Sequence, residues 1–208
     1  MRRSSSPRVV AALLALAAGA ACSSASPGTG EPAPAAAPAR PKANEADVRF
    51  MTGMIHHHAQ ALVMARWAPT HGASEALQRL AERIDVAQTD EIMLMRNWLM
   101  DVREPAPEPN PAGMTMTMGA MEHVMLMPGM LTEEQMAQLD GARGREFDRL
   151  FVTFMIQHHE GALTMVEELF ASYGAAQDDF VFKFASDAFA DQSTEIERMQ
   201  RMLNALSP

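Results

Sequence analysis

From Asp47 onward, apolar positions recur at helical spacing. Phe50, Met54, His57, Ala61 and Met64 form one stripe, and Met51, Ile55, His58, Leu62 and Ala65 form its neighbour. Both stripes are apolar except for one histidine each. The opposite side carries Arg49, Thr52, Gly53, His56 and Gln60, a pattern that predicts an amphipathic helix with His56 facing solvent. After a turn marked by Pro69, His71 and Gly72, a second apolar stripe runs through Leu77, Leu80, Ala81, Ile84, Ile92, Met95 and Leu99, and it contains Gln88 and Glu91. Sustained period-two alternation of β-branched residues is absent, so no strand is predicted.

The pattern then repeats. At a constant offset of 101, Asp47, Phe50, Thr52, Met54, Ile55, His57, His58, Ala61, Leu62 and Met64 return as Asp148, Phe151, Thr153, Met155, Ile156, His158, His159, Ala162, Leu163 and Met165. Gln88, Glu91, Ile92 and Met95 return at offset 104 as Gln192, Glu195, Ile196 and Met199, which fits a longer second turn around residues 171–178. Each copy is a helix hairpin with an unsatisfied apolar face, and two such faces can bury each other. The expected fold is all-α, a four-helix bundle made from two duplicated hairpins, repeat 1 over about 45–103 and repeat 2 over about 132–206. The linker, 104–131, is Pro-rich and then Met-rich. The capping-box signature Thr132-Glu-Glu-Gln135 adds a short helix from about Glu133 to Asp140.

The interior of this bundle is expected to be chemically unusual. An imidazole or carboxylate buried alone costs several kcal/mol unless it is hydrogen-bonded, paired or bound to a cation. The predicted interior holds Asp47, His57, His58, Gln88 and Glu91 from one copy and Asp148, His158, His159, Gln192 and Glu195 from the other. A hydrogen-bonded network that fixes helix register is one explanation. The other is a metal site, and thioethers beside the imidazoles favour it: Met54 and Met64 flank His57 and His58, Met155 and Met165 flank His158 and His159, and Met95 and Met199 approach from the partner helices.

Composition sharpens the choice of metal. The 208 residues include 19 Met and a single Cys, which excludes a cysteine-built zinc or iron–sulfur site and an intramolecular disulfide framework. Thioether sulfur is soft and uncharged and suits Cu(I), whereas imidazole accepts either copper state, so copper is expected, with Cu(I) favoured and Cu(II) the alternative. Met114, Met116, Met118, Met121, Met125, Met127 and Met130, together with His123, extend the donor set into the linker, where the Met-Thr-Met-Thr-Met start reads as a flexible presentation of soft ligands. Glu-x-x-His pairs of the carboxylate-bridged di-iron kind are absent. So are a Gly-rich phosphate loop and a Ser or Cys nucleophile constellation, and no enzyme activity is expected.

The N-terminus reads as an address. Arg2, Arg3 and Arg8 precede the apolar run Val9 to Ala21, a secretory signal peptide over 1–21 too short to span a bilayer. Cys22 follows immediately and resembles the lipid-modified cysteine of bacterial lipoproteins, although Gly19 stands where such a cleavage box usually has Leu. Residues 22–43, rich in Ser, Pro, Ala and Gly, read as a disordered tether, and the bundle spans 44–208. Losing the three leader arginines takes the formal charge from -9 to -12. An acidic chain without a basic cluster is not expected to bind nucleic acid. The expected location is the periplasm or cell surface as a lipoprotein, touching membrane only through Cys22; a soluble secreted form is the alternative.

These residues also carry a family resemblance. Met54-Ile55 with His57-His58, Ala61 and Met64, then Met155-Ile156 with His158-His159-Glu160-Gly161-Ala162 and Met165, then the Gln-x-x-Glu-Ile-x-x-Met segments from Gln88 and Gln192 together resemble the DUF305 family. That family includes periplasmic copper-binding proteins of the CopM type. The resemblance spans about Asp47 to Leu206. It implies a ferritin-like bundle, export, and copper binding through Met and His in copper tolerance. The duplicated Met/His face and the Met-rich linker lead to the expected role, sequestration of copper or its transfer to a partner protein. The rivals are a copper-dependent redox enzyme and a non-metal interaction module that uses a Met-rich surface.

Overall fold

The computed structural model describes residues 42–118 and 121–206, with side chains left undescribed at 117, 118, 121 and 122. The leader, Cys22 and most of the tether lie outside the described residues. The long helices are α1 (Glu45–Trp67), α2 (Glu75–Asp101), α4 (Gly144–Ala171) and α5 (Asp179–Leu206), with a short α3 (Glu133–Gly141) ahead of α4. The starts of α1, α2 and α3 follow from side-chain capping of free N–H groups: Asn44 accepts from Ala46 N–H at 2.8 Å, Ser74 caps α2, and Thr132 with Gln135 forms the full capping box of α3. Among the described residues no helix is long and apolar enough to cross a membrane.

α1 packs on α2, α4 on α5, and α1 on α4. One apolar cluster joins the start of α1 (Phe50, Met51, Met54, Ile55) to the end of α4 (Met165, Val166, Leu169), the end of α2 and the start of α5. A second joins the end of α1 to Phe147, Phe151 and Met155 at the start of α4, the start of α2 and the end of α5. The two central helices therefore run antiparallel. The histidines fall at their midpoint, between the clusters.

The hairpins also clasp each other at their ends. Asp47 at the start of α1 accepts a hydrogen bond from Ala176 N–H, in the α4–α5 turn, at 2.7 Å. Asp148 at the start of α4 accepts one from Ser74 N–H, at the α1–α2 turn, at 3.0 Å. An aspartate in the early turns of each copy's first helix thus accepts from a backbone N–H in the other copy's turn. Burial pushes the Asp47 carboxyl up, against the Ala176 hydrogen bond, and Asp178 adds to the rise.

The linker departs from expectation in two ways. Its Met-rich start is an antiparallel hairpin of β1 (Met114–Met118) and β2 (Met121–Met125), not a flexible loop, and the Met-Thr alternation supplies the period of two. His56, expected in solvent, is buried. The reason is that the linker lies over the outer face of α1 and α4. Asn110 N–H donates to His56 Nδ1 at 3.1 Å, and the Gln60 amide donates to the Pro111 and Leu131 carbonyls at 3.2 and 3.0 Å while accepting Leu131 N–H at 2.6 Å. One glutamine ties both ends of the linker to α1. On α4, Gln157 donates to the Gly129 carbonyl at 3.2 Å, and Gly161 lies so close that a Cβ there would meet the Pro128 carbonyl oxygen at 2.0 Å.

Candidate metal centre

Four imidazoles form the middle layer of the bundle, and His57, His58, His158 and His159 are all 0% exposed. His57 and His158 meet across the α1–α4 contact with ring centroids 3.7 Å apart. Each has its sequence neighbour farther out, His58 at 6.2 Å from His57 and His159 at 6.3 Å from His158. The layer is a near-symmetric row of rings, and α2 and α5 close its two ends. His58 Nε2 lies 2.6 Å from Glu91 Oε2, and His159 Nε2 lies 2.7 Å from Glu195 Oε2. The two carboxylates are 21% and 24% exposed, so the row reaches solvent only through them.

The hydrogen bonds set the tautomers. His57 Nε2 lies 3.1 Å from the Pro128 carbonyl, which can only accept, so that nitrogen carries the proton. Nε2 of His58 and of His159 likewise donates to a carboxylate. In the neutral ring each of these three residues then keeps a lone pair on Nδ1. All of those Nδ1 atoms are buried without a hydrogen-bond partner, as are both ring nitrogens of His158. Burial, reinforced by the neighbouring imidazoles, holds His57 and His158 well below the usual histidine range and therefore neutral near pH 7. Gln88 Oε1 and both amide atoms of Gln192 are also unpartnered, contrary to the expectation that every interior polar group would be paired.

A histidine that ligates a metal commonly gives its other N–H to a carboxylate or backbone carbonyl, which fixes the ring and raises its basicity. His58 with Glu91, His159 with Glu195 and His57 with Pro128 have that arrangement. Among the described residues, however, no three or more His, Cys, Asp or Glu side chains gather as a potential metal-binding group. The methionines expected beside the histidines lie on the four long helices: Met54, Met64, Met95, Met155 and Met199 are fully buried and Met165 nearly so. They divide evenly, with Met54, Met95 and Met165 in one flanking cluster and Met64, Met155 and Met199 in the other.

The remaining expected residues lie elsewhere. Asp47 and Asp148 sit about three helical turns from the histidines of their own helices and are engaged at the end clasps. Met127 and Met130 are buried in a turn around Pro128 and Gly129, where Met130 N–H donates to the Met127 carbonyl at 3.1 Å. Met114, Met116, Met125 and His123 belong to the hairpin, as do Met118 and Met121, whose side chains are not described. The Pro128 carbonyl is a site component that no side-chain pattern announces, although a Pro-Gly pair does announce a turn.

The profile of DUF305, a domain of unknown function, matches residues 47–203. The chain belongs to the DUF305 family. Three solved relatives resemble it in fold. A DUF305 fragment from Deinococcus radiodurans is 25% identical, with 79% of this chain and 99% of that one covered at a TM-score of 0.65. A DUF305 protein from Streptomyces coelicolor is 26% identical, covering 77% and 93% at 0.64. CopM in its Cu(II)-bound form is 28% identical, covering 77% and 97% at 0.60, and CopM structures also exist in Cu(I)-bound and Ag-bound forms. A comparison with curated proteins finds no match. This DUF305 chain shares the helical bundle of those relatives.

Proposed function

We propose that this DUF305 protein is exported and binds copper in its interior, to sequester it or pass it to a partner protein. The observation that carries the proposal is the set of buried, unpartnered Nδ1 atoms on His57, His58 and His159, each on a ring anchored through its Nε2. Leaving several polar nitrogens unsatisfied in a core costs about 1–3 kcal/mol each, and a cation that accepts those lone pairs removes the cost. Imidazole and thioether together suit Cu(I), and imidazole also suits Cu(II); nitrogen and sulfur donors do not suit Mg or Ca, which take hard oxygen ligands. The likeness to CopM, crystallised with both copper states and silver, supports the same choice. Copper here is cargo. Export and anchoring at Cys22 rest on the leader-like N-terminal sequence.

The test is a titration of the purified protein with Cu(I) and Cu(II) against competing chelators. Replacing His57, His58, His158 and His159 with Leu is expected to abolish the tight interior equivalents while circular dichroism stays helical. The paired change His58→Gln with His159→Gln, which leaves the centre of the core untouched, is expected to weaken binding at least tenfold. Unchanged stoichiometry and affinity in both variants would overturn the interior site.

A further inference from the structure

We infer that one face of the β1/β2 hairpin is a second, separate soft-metal site, made by Met114, Met116, His123 and Met125 and selective for Cu(I). The inference rests on the reading that the protein handles copper, but it uses none of the interior residues. The register pairs Met114 with Met125 and Met116 with His123. Residues directly opposite in an antiparallel pair share a face, and positions two apart along a strand share it too, so all four side chains project on one side. Thr115 and Val124, also paired, project on the other. Opposed Cβ atoms in such pairs are about 4.5–5.5 Å apart, within the reach of two thioethers or of a thioether and an imidazole that share one ion.

The donor set is three uncharged sulfurs and one imidazole, with no carboxylate among the four. That composition favours a soft monovalent ion over a hard or divalent one. Packing accounts for only part of the set. Met114 and Met125 line an apolar cavity of about 480 Å³ against α1 and α4, together with Met127 and Met165. Met116 and His123 form the next pair along the ladder and do not line it. Met116 is 42% exposed, Met125 is 46% exposed and His123 is exposed as well, so three of the four present soft donors to solvent. At the floor of the cavity, beside Gly53, a Cβ would meet Met165 Cε at 3.3 Å and Met127 Sδ at 3.5 Å. An ion on the hairpin therefore lies beside a cavity lined by the thioethers of Met114, Met125, Met127 and Met165. The hairpin is an external acquisition site for the same cargo.

Titration of the full chain with Ag(I), a redox-inert probe, and with Cu(I) under chelator competition tests this. The variant carrying Met114→Leu, Met116→Leu, His123→Gln and Met125→Leu keeps the apolar volume of the face. It is expected to lose one equivalent of Ag(I) and of Cu(I), while the equivalents removed by the interior histidine substitutions remain. The milder pair Met116→Leu with His123→Gln changes only solvent-exposed side chains; it is expected to weaken that equivalent at least tenfold. Parental stoichiometry and affinity in both variants would overturn the hairpin site. Failure of the interior reading looks different: the four-histidine variant would then bind like the parent, while the hairpin variant would still lose its equivalent.

Discussion

The two copies of the helix hairpin match on one face and differ on the other. Inside, His58–Glu91 at 2.6 Å mirrors His159–Glu195 at 2.7 Å, and the repeat-related methionines Met54 and Met155, Met64 and Met165, and Met95 and Met199 are all buried, one of each pair in either cluster. Outside, His56 and Gln60 of α1 correspond to Gln157 and Gly161 of α4, and each set holds the linker by different means. The first copy grips it with the His56 and Gln60 side chains, whereas the second combines one side-chain hydrogen bond, from Gln157 to Gly129, with a position, Gly161, whose missing side chain admits the linker backbone. Duplication kept the surface that meets its own copy and changed the surface that meets an unrepeated segment. The linker also breaks the symmetry of the centre, because the Pro128 carbonyl accepts from the ring of His57 and no carbonyl of the linker does so for His158.

The largest expected effect tests that outer difference. Gly161→Ala would place a methyl 2.0 Å from the Pro128 oxygen and 2.4 Å from its carbonyl carbon, both backbone atoms, so the turn must leave α4 or the helices must part. A loss of more than about 3 kcal/mol is expected in urea unfolding, together with release of the His57 hydrogen bond. A shift below about 0.5 kcal/mol would show that the close approach is not a constraint.

Acid should next act on both copies together. His57 and His158 are held below the ordinary value of 6.5, so as pH falls through that value the unfolded chain takes up protons that the folded chain refuses. Stability of the metal-free protein is therefore expected to be level above about pH 7 and to fall progressively below about 6.5. A urea midpoint that is unchanged between pH 7.5 and 5.5 would contradict the buried neutral pair.

The smallest effect concerns the clasps, where the copies should behave alike. Asp47→Ala strands the Ala176 N–H and Asp148→Ala strands that of Ser74, each at a cost of about 1–3 kcal/mol. Thermal unfolding of the two variants checks this. A large difference between them would mean that the clasps are not equivalent.

Much of this architecture is legible from periodicity. The repeat, the four long helices, the capping box at Thr132 and the inward histidines all follow from spacing, because helix faces and caps are local properties of the chain. The burial of His56 is not local: it depends on a linker with no amphipathic period that happens to lie on that face. Asp47 and Asp148 look like interior ligands because they share the helix with the histidines, yet their partners are backbone N–H groups supplied by the other copy. The strands were legible in principle from Met-Thr alternation, but methionine lacks the β-branching that separates a strand from a loop. Tautomers and unpartnered nitrogens need three-dimensional neighbours, and no spacing rule yields them.

The end clasps carry one more consequence, for ancestry. Each hairpin offers a carboxylate at its start and an N–H in its turn, yet meets its needs only through the other hairpin. A chain holding one copy would carry both halves of the clasp and could close neither by itself. Two such chains related by a two-fold axis could close both, since a self-complementary surface satisfies itself in a symmetric pair. The present chain has the form of a fused homodimer. The Met-rich linker is the segment that has no counterpart in either copy, and it lies on one outer face where the two copies differ.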